Sequence, residues 1–98
     1  MNIIITSIHF TADSKLEKLL ENKISKLSQF HDSIITANVY LKIEKNQDSD
    51  NKITEIKLDI PGSELFAKKQ SNSFEKAADS TIEALKKQLL KVKEKQKK

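Results

Sequence analysis

The sequence predicts an α+β domain, a two-layer sandwich in the order β-α-β-β-β-α, with a four-stranded sheet and both helices packed on one face. Three observations carry that prediction. Two segments alternate apolar and polar residues, at Ala37, Val39, Leu41, Ile43 and at Ile56, Leu58, Ile60, which is the period of a strand with one buried face. Two others repeat apolar residues every three or four positions, at Leu16, Leu20, Ile24, Leu27 and at Phe74, Ala78, Ile82, Leu85, Leu89, Val92, which is the period of a helix with one buried stripe. The only proline and the only glycine are adjacent, Pro61-Gly62, directly after the second alternating segment.

Each element has its own local reason. Residues 2–8 are rich in β-branched side chains (Ile3, Ile4, Ile5, Thr6, Ile8) and read as a first strand. Thr11, Asp13 and Ser14 offer N-caps for a first helix over residues 12–29, which Phe30 closes against the core. The second strand follows at residues 37–44, and the polar run 46–51 reads as a loop. After the third strand, Pro61-Gly62 suits the central positions of a type I or II turn, with Gly62 at positive φ. A fourth strand over 64–70 then returns antiparallel, with Leu65 and Ala67 inward. Ser71, Asn72 or Ser73 caps the last helix, expected over 73–94. The domain spans residues 1–95, and 96–98 form a frayed, lysine-rich end. The outer sheet face is expected to carry Ile4, Thr6, Asn38, Tyr40, Lys42, Lys57 and Phe66, with Ile4, Tyr40 and Phe66 read as scattered exposed apolar residues sooner than as a small apolar patch.

Length and composition exclude much. A chain of 98 residues has no room for a doubly wound sheet, a (β/α) barrel or a deep two-domain cleft. No cysteine is present, which removes disulfides, thiolate metal sites and thiol nucleophiles. A single glycine leaves no phosphate-cradling glycine loop. His9 and His31 lack partners at metal-ligand spacing, so neither a metal nor a catalytic residue is expected. No apolar run approaches the roughly 20 residues of a membrane span, and residues 1–6 lack a secretory pattern. The expectation is a cytoplasmic protein that is not an enzyme and takes no cofactor, small-molecule substrate or membrane.

The charge is informative once it is resolved along the chain. All 18 basic residues are lysine, against 14 acids, for a net +4. Residues 1–67 hold eight lysines and ten acids, whereas residues 68–98 hold ten lysines and four acids. From Lys86 onward seven lysines face Glu94 alone. Such asymmetry points to a polyanionic partner. On a helical wheel, Lys76, Ser80, Lys87 and Lys91 lie opposite the buried stripe of the last helix. Lys15, Lys18 and Lys26 flank the stripe of the first helix, and Lys23 lies near the stripe itself and must snorkel past it. Lysine is a flexible point charge without arginine's fork, so a ridge of this kind suits phosphates better than base edges. Aromatic stacking residues are scarce, which argues against a reader of single strands.

These features together resemble the ribosome hibernation promoting factors, also called ribosome-associated translation inhibitors. The resemblance rests on the element order, on Leu41-Lys42-Ile43-Glu44-Lys45 in the second strand, and on Ala77-Ala78-Asp79 followed by Leu85-Lys86-Lys87-Gln88-Leu89 in the last helix. It covers residues 3 to about 95, and the length matches the family's short form. It implies a stationary-phase or stress protein that binds small-subunit rRNA between head and body, occupies the mRNA and tRNA channel, and blocks the A and P sites. It also implies a monomer off the ribosome. Carried over by position, the rRNA-binding residues are Lys23 and Lys26 in the first helix, Lys42 and Lys45 at the second strand, and Lys87, Lys91, Lys93 and Lys95 in the last helix. Ser73-Phe74-Glu75 stands where many members have Asp-Met-Tyr. Two other readings fit the same pattern: a general double-stranded RNA-binding module, whose two helices also pack on one face of an antiparallel sheet, and a protein-interaction module using the exposed sheet face.

Overall fold

The computed structural model describes residues 1–45 and 49–96, with the side chains of 93–96 outside the described residues. Its elements are β1 (Asn2–Ser7), α1 (Ser14–Ser25) continued by a 3₁₀ turn (Lys26–Gln29), β2 (Thr36–Ile43), β3 (Lys52–Ile60), β4 (Ser63–Ser71) and α2 (Phe74–Gln96). The four strands form one sheet in the order β1-β2-β3-β4. β1 pairs parallel to β2 with Ile3 opposite Ala37 and Ser7 opposite Leu41, while β2–β3 and β3–β4 are antiparallel. The sheet is therefore mixed, unlike the antiparallel sheet of the double-stranded RNA-binding alternative. The parallel pair is what a strand–helix–strand crossover produces.

The alternating residues meet in one layer. Ala37, Val39, Leu41, Ile56, Leu58, Leu65 and Ala67 are buried against Leu20, Ile24 and Leu27 of the first helix and Phe74, Ala78, Leu85 and Leu89 of the second. Fully burying each such leucine contributes about 2 kcal/mol. Phe30 packs on this core as expected, and Phe10 stacks on Phe74 with ring centroids 5.1 Å apart. α2 lies close to the sheet because the residues it presents are small. Ala77, Ala78 and Thr81 are fully buried, and the Thr81 hydroxyl donates to the Ala77 carbonyl (2.7 Å) and sits 3.2 Å from the Thr54 carbonyl of β3. Counting apolar residues alone missed Thr54 and Thr81.

The helix ends follow their caps. The Asp13 carboxylate accepts from the Leu16 amide at 2.8 Å, and the Ser73 hydroxyl accepts from the Lys76 amide at 3.1 Å. The last turn of the predicted first helix is 3₁₀ rather than α, a common tightening where a helix ends. The backbone of α2 runs to Gln96, two residues past the predicted end at Glu94 and into the segment expected to fray; Lys97 and Lys98 lie outside the described residues. Of the predicted loop, Asn46, Gln47 and Asp48 also lie outside them. At the β3–β4 turn Ile60 pairs with Ser63, and Gly62 has φ +76°, the type II sign after a proline.

The outer face scatters its apolar residues, as expected. Ile4, Asn38, Lys57 and Phe66 lie in a single cross-strand row, so Ile4 and Phe66, about half exposed, stand on opposite edge strands with two polar residues between them. Strands about 4.8 Å apart separate them by about 14 Å. Tyr40 lies in the next row, opposite Thr6 and Glu55. No continuous apolar patch with Tyr40 results. The two sheet edges also differ. Along β4 the Gln88 side chain of α2 donates to the Phe66 carbonyl at 2.9 Å, whereas β1 is an uncharged edge strand, Asn-Ile-Ile-Ile-Thr-Ser.

Candidate nucleic-acid interface

Strand directions decide where the lysines meet. β1 and β2 run the same way, and each leads into the next element at the same end of the sheet. α1 starts from that end and returns along the layer. β3 runs back, β4 comes forward again, and α2 starts beside α1. The two helices are therefore parallel neighbours with their N-termini at one end. At 1.5 Å per residue, Lys91 lies about 26 Å along α2 from Phe74.

On that helical layer the buried stripe sends its opposite face to solvent, and Lys76, Ser80, Lys87 and Lys91 are all exposed. Lys26, in the turn that ends the first helix, is exposed as well. Among the described residues, Lys26, Lys87 and Lys91 have no ion-pair partner. Lys86 lies over the Phe30 ring, 5.1 Å from its centroid, which fixes an ammonium on the seam between the helices. Position-by-position reading left Lys86 out of the site, since nothing local shows that residue 30 ends beneath it. α2 is charge-graded: Glu75, Asp79 and Glu83 outnumber Lys76 in its first half, and Lys86, Lys87 and Lys91 follow. This order also complements the helix dipole. Lys93 and Lys95 continue the α2 backbone, but their side chains lie outside the described residues.

Lys23 has a different setting. Its Nζ donates to Asp79 Oδ1 at 2.8 Å and lies 3.9 Å from Glu75 Oε1, tying α1 to α2. The hydrogen bond to Asp79, helped by the charges of Asp79 and Glu75, raises the Lys23 pKa above its ordinary 10.5 against a smaller opposing effect of burial. Its charge is neutralised within the protein.

Lys42 and Lys45 stand apart from the ridge. Both lie at the end of β2, where the helices begin, and Lys42 is on the outer sheet face. There the lysines are paired. Glu55 Oε1 holds Lys42 at 3.1 Å and Lys68 at 3.6 Å, and Glu64 holds Lys57 at 3.3 Å. The bond to Glu64 raises the Lys57 pKa. The six lysines with described side chains thus divide into an unpaired set on the helical layer (Lys26, Lys87, Lys91), an internal clamp (Lys23), and Lys42 and Lys45 at the other end. The histidines sit elsewhere: His9 follows β1, and His31 Nδ1 accepts from the Ser33 amide at 3.0 Å.

Comparisons with known proteins give the chain's family and fold. Residues 3–97 match the family model described as Sigma 54 modulation protein / S30EA ribosomal protein. A ribosome hibernation promoting factor of Pseudomonas putida is 30% identical over 96 residues, covering 98% of this chain and 90% of the relative. The fold is similar to a ribosomal subunit interface protein from Coxiella burnetii, with TM-score 0.84, 27% identity and coverage of 95% and 98% of the two chains. It is also similar to the N-terminal domain of Thermus thermophilus Protein Y, with TM-score 0.79, 20% identity and coverage of 94% and 99%, a likeness of fold alone.

Proposed function

Because the chain belongs to the Sigma 54 modulation protein / S30EA ribosomal protein family, we propose that it acts in ribosome hibernation, docking the lysine-bearing face of its helical layer on small-subunit rRNA. Bound there, the rigid sandwich occupies the channel that mRNA and A- and P-site tRNA need, and initiation stops by exclusion. No catalytic group is required for this. A factor working on ribosomes works in the cytoplasm; among the described residues no helix is long and apolar enough to cross a membrane. The observation that carries the reading is the match to a hibernation factor over 98% of the chain, and the exposed, unpaired Lys26, Lys87 and Lys91 supply its contact surface. Phosphate contacts of this kind position a protein without reading sequence, which suits an RNA recognised by shape.

Sedimentation with small subunits tests this. The double variant Lys87→Glu, Lys91→Glu should lose co-sedimentation while keeping its circular dichroism spectrum, because both side chains face solvent. Retained binding by a folded double variant rejects the chosen face. Failure of the unaltered chain to sediment with ribosomes rejects the function.

A further inference from the structure

The free edge of β1 combines unpaired backbone with a local excess of acid. β1 is an edge strand of six residues with no charged side chain and no proline. The Asn2 amide donates to the Ile35 carbonyl and the Ile8 amide to the Leu41 carbonyl, both toward β2. Every second residue of a paired strand turns its N–H and C=O to the same neighbour, so those of Ile3, Ile5 and Ser7 point the other way, off the sheet. Ile3 and Ile5 send their side chains to the core, while Ile4 and Thr6 are exposed on the outer face.

α1 supplies the acid. It packs against α2 on one side, through Lys23, and against β1 on the other. On the helical wheel Glu17 and Glu21 lie across the buried stripe from Lys23, on the flank toward the free edge of β1. Neither carboxylate has an ion-pair partner among the described residues, and no lysine of α1 lies on that flank. One helical turn separates them by about 6 Å along the axis. Alternate residues of a strand are about 6.8 Å apart, so a strand laid on β1 repeats its side chains at nearly the spacing of these carboxylates.

We propose that β1 takes up an extended, lysine- or arginine-rich segment of another polypeptide as an added strand, its alternate basic side chains against Glu17 and Glu21. The main chain of that segment pairs with Ile3, Ile5 and Ser7, and its intervening side chains lie beside Ile4 and Thr6. Charge complementarity selects this occupant. The chain is net +4, so a cationic segment is repelled by the molecule as a whole and held only where acid is concentrated. A nucleic-acid strand would meet two carboxylates here. A second copy pairing through its own β1 brings no cation and sets a second Glu17 and Glu21 beside the first. None of these residues belongs to the lysine face, so the inference goes beyond ribosome binding and does not rest on it.

The test titrates the whole isotopically labelled chain with the peptide acetyl-Lys-Thr-Lys-Val-Lys-Thr-Lys-amide, following amide shifts and amide hydrogen exchange. Saturable shifts should centre on β1, with a Kd on the order of 0.1–1 mM. At about ten times Kd, exchange at Ile3, Ile5 and Ser7 should slow about tenfold. A peptide of the same composition without the alternation, acetyl-Lys-Lys-Lys-Lys-Thr-Val-Thr-amide, should bind several-fold more weakly; equal binding means charge alone and overturns the added strand. The double variant Glu17→Lys, Glu21→Lys should weaken binding of the first peptide about tenfold and admit its glutamate counterpart. The milder Glu17→Gln, Glu21→Gln should weaken binding in the same direction and keeps the test open if charge reversal unfolds the chain. Unchanged affinity in a variant with the parent's circular dichroism spectrum overturns the choice of a basic segment. Protection of Ile3, Ile5 and Ser7 that rises with protein concentration in the absence of peptide makes a second copy the occupant and overturns the proposal, as do shifts confined to α2 or none at all.

Discussion

Lys23 of α1 and Asp79 of α2 form a hydrogen-bonded ion pair, Nζ to Oδ1 2.8 Å, across the seam between the two parallel helices. The pair joins residues 56 positions apart in sequence. It gives Lys23, which the resemblance assigns to RNA, a partner within the protein that ties the two helices together.

Replacing Lys23 by Met should therefore leave ribosome affinity nearly unchanged and lower stability slightly, by about 0.5 kcal/mol, since Asp79 is half exposed and the pair is screened. The pH dependence has a definite sign. The Lys23 pKa is raised in the folded state, so its contribution is fully present below the unfolded value of 10.5 and is lost as pH rises through the folded value. Denaturant melts of the two proteins should differ at neutral pH and converge in strong alkali.

Salt titrations of ribosome binding should sort the lysines. Each phosphate contact contributes about 0.7 to 0.9 to the slope of log affinity against log salt. Lys87→Gln and Lys91→Gln should each flatten the slope by about that amount. Lys23→Met and Lys57→Gln, which alter lysines already paired with Asp79 and Glu64, should leave it unchanged. Equal effects in all four variants would contradict the division into paired and unpaired lysines.

Thr81→Val preserves shape but removes the buried hydroxyl beside the Thr54 and Ala77 carbonyls. Urea unfolding should show a loss of about 1–2 kcal/mol. A neutral result would mean that the hydroxyl does not help dock α2 on β3.

Gly62→Ala should cost about 1–2 kcal/mol through backbone conformation alone. The residue has φ +76°, and a Cβ there would meet nothing within 4 Å. Gly62→Asn should cost less, because asparagine tolerates that region better. Thermal melts of both variants measure the ranking.

Much of the fold was readable from periodicity because each element buries one face. Val39, Leu41, Ile56 and Leu58 mark their strands, Leu85 and Leu89 mark α2, and Ser73 caps it as its chemistry suggests. The parallel direction of β1 was not readable in its own residues, since Ile3 and Ile5 alternate identically whichever way the neighbouring strand runs; it follows from the helix that joins β1 to β2. Thr54 and Thr81 escaped because a buried hydroxyl looks polar until its acceptor is known. The lysines divide for a similar reason. Lys23 and Lys91 are the same residue on similar helices, and only the folded chain places Asp79 beside one and solvent beside the other. Lys42 matches the second-strand signature of the family, yet topology carries it to the far end of the sheet from Lys91.

The uncharged edge of β1 gives salt a second effect. An unpaired strand with no lysine, proline or bulge is a ready template for another chain, and mutual repulsion from the net positive charge helps keep copies apart. Salt strong enough to strip the protein from RNA shortens the reach of that repulsion as well. Protein washed from ribosomes at high ionic strength is therefore closest to self-association at the moment it is freed, and the aggregates that form should grow from β1.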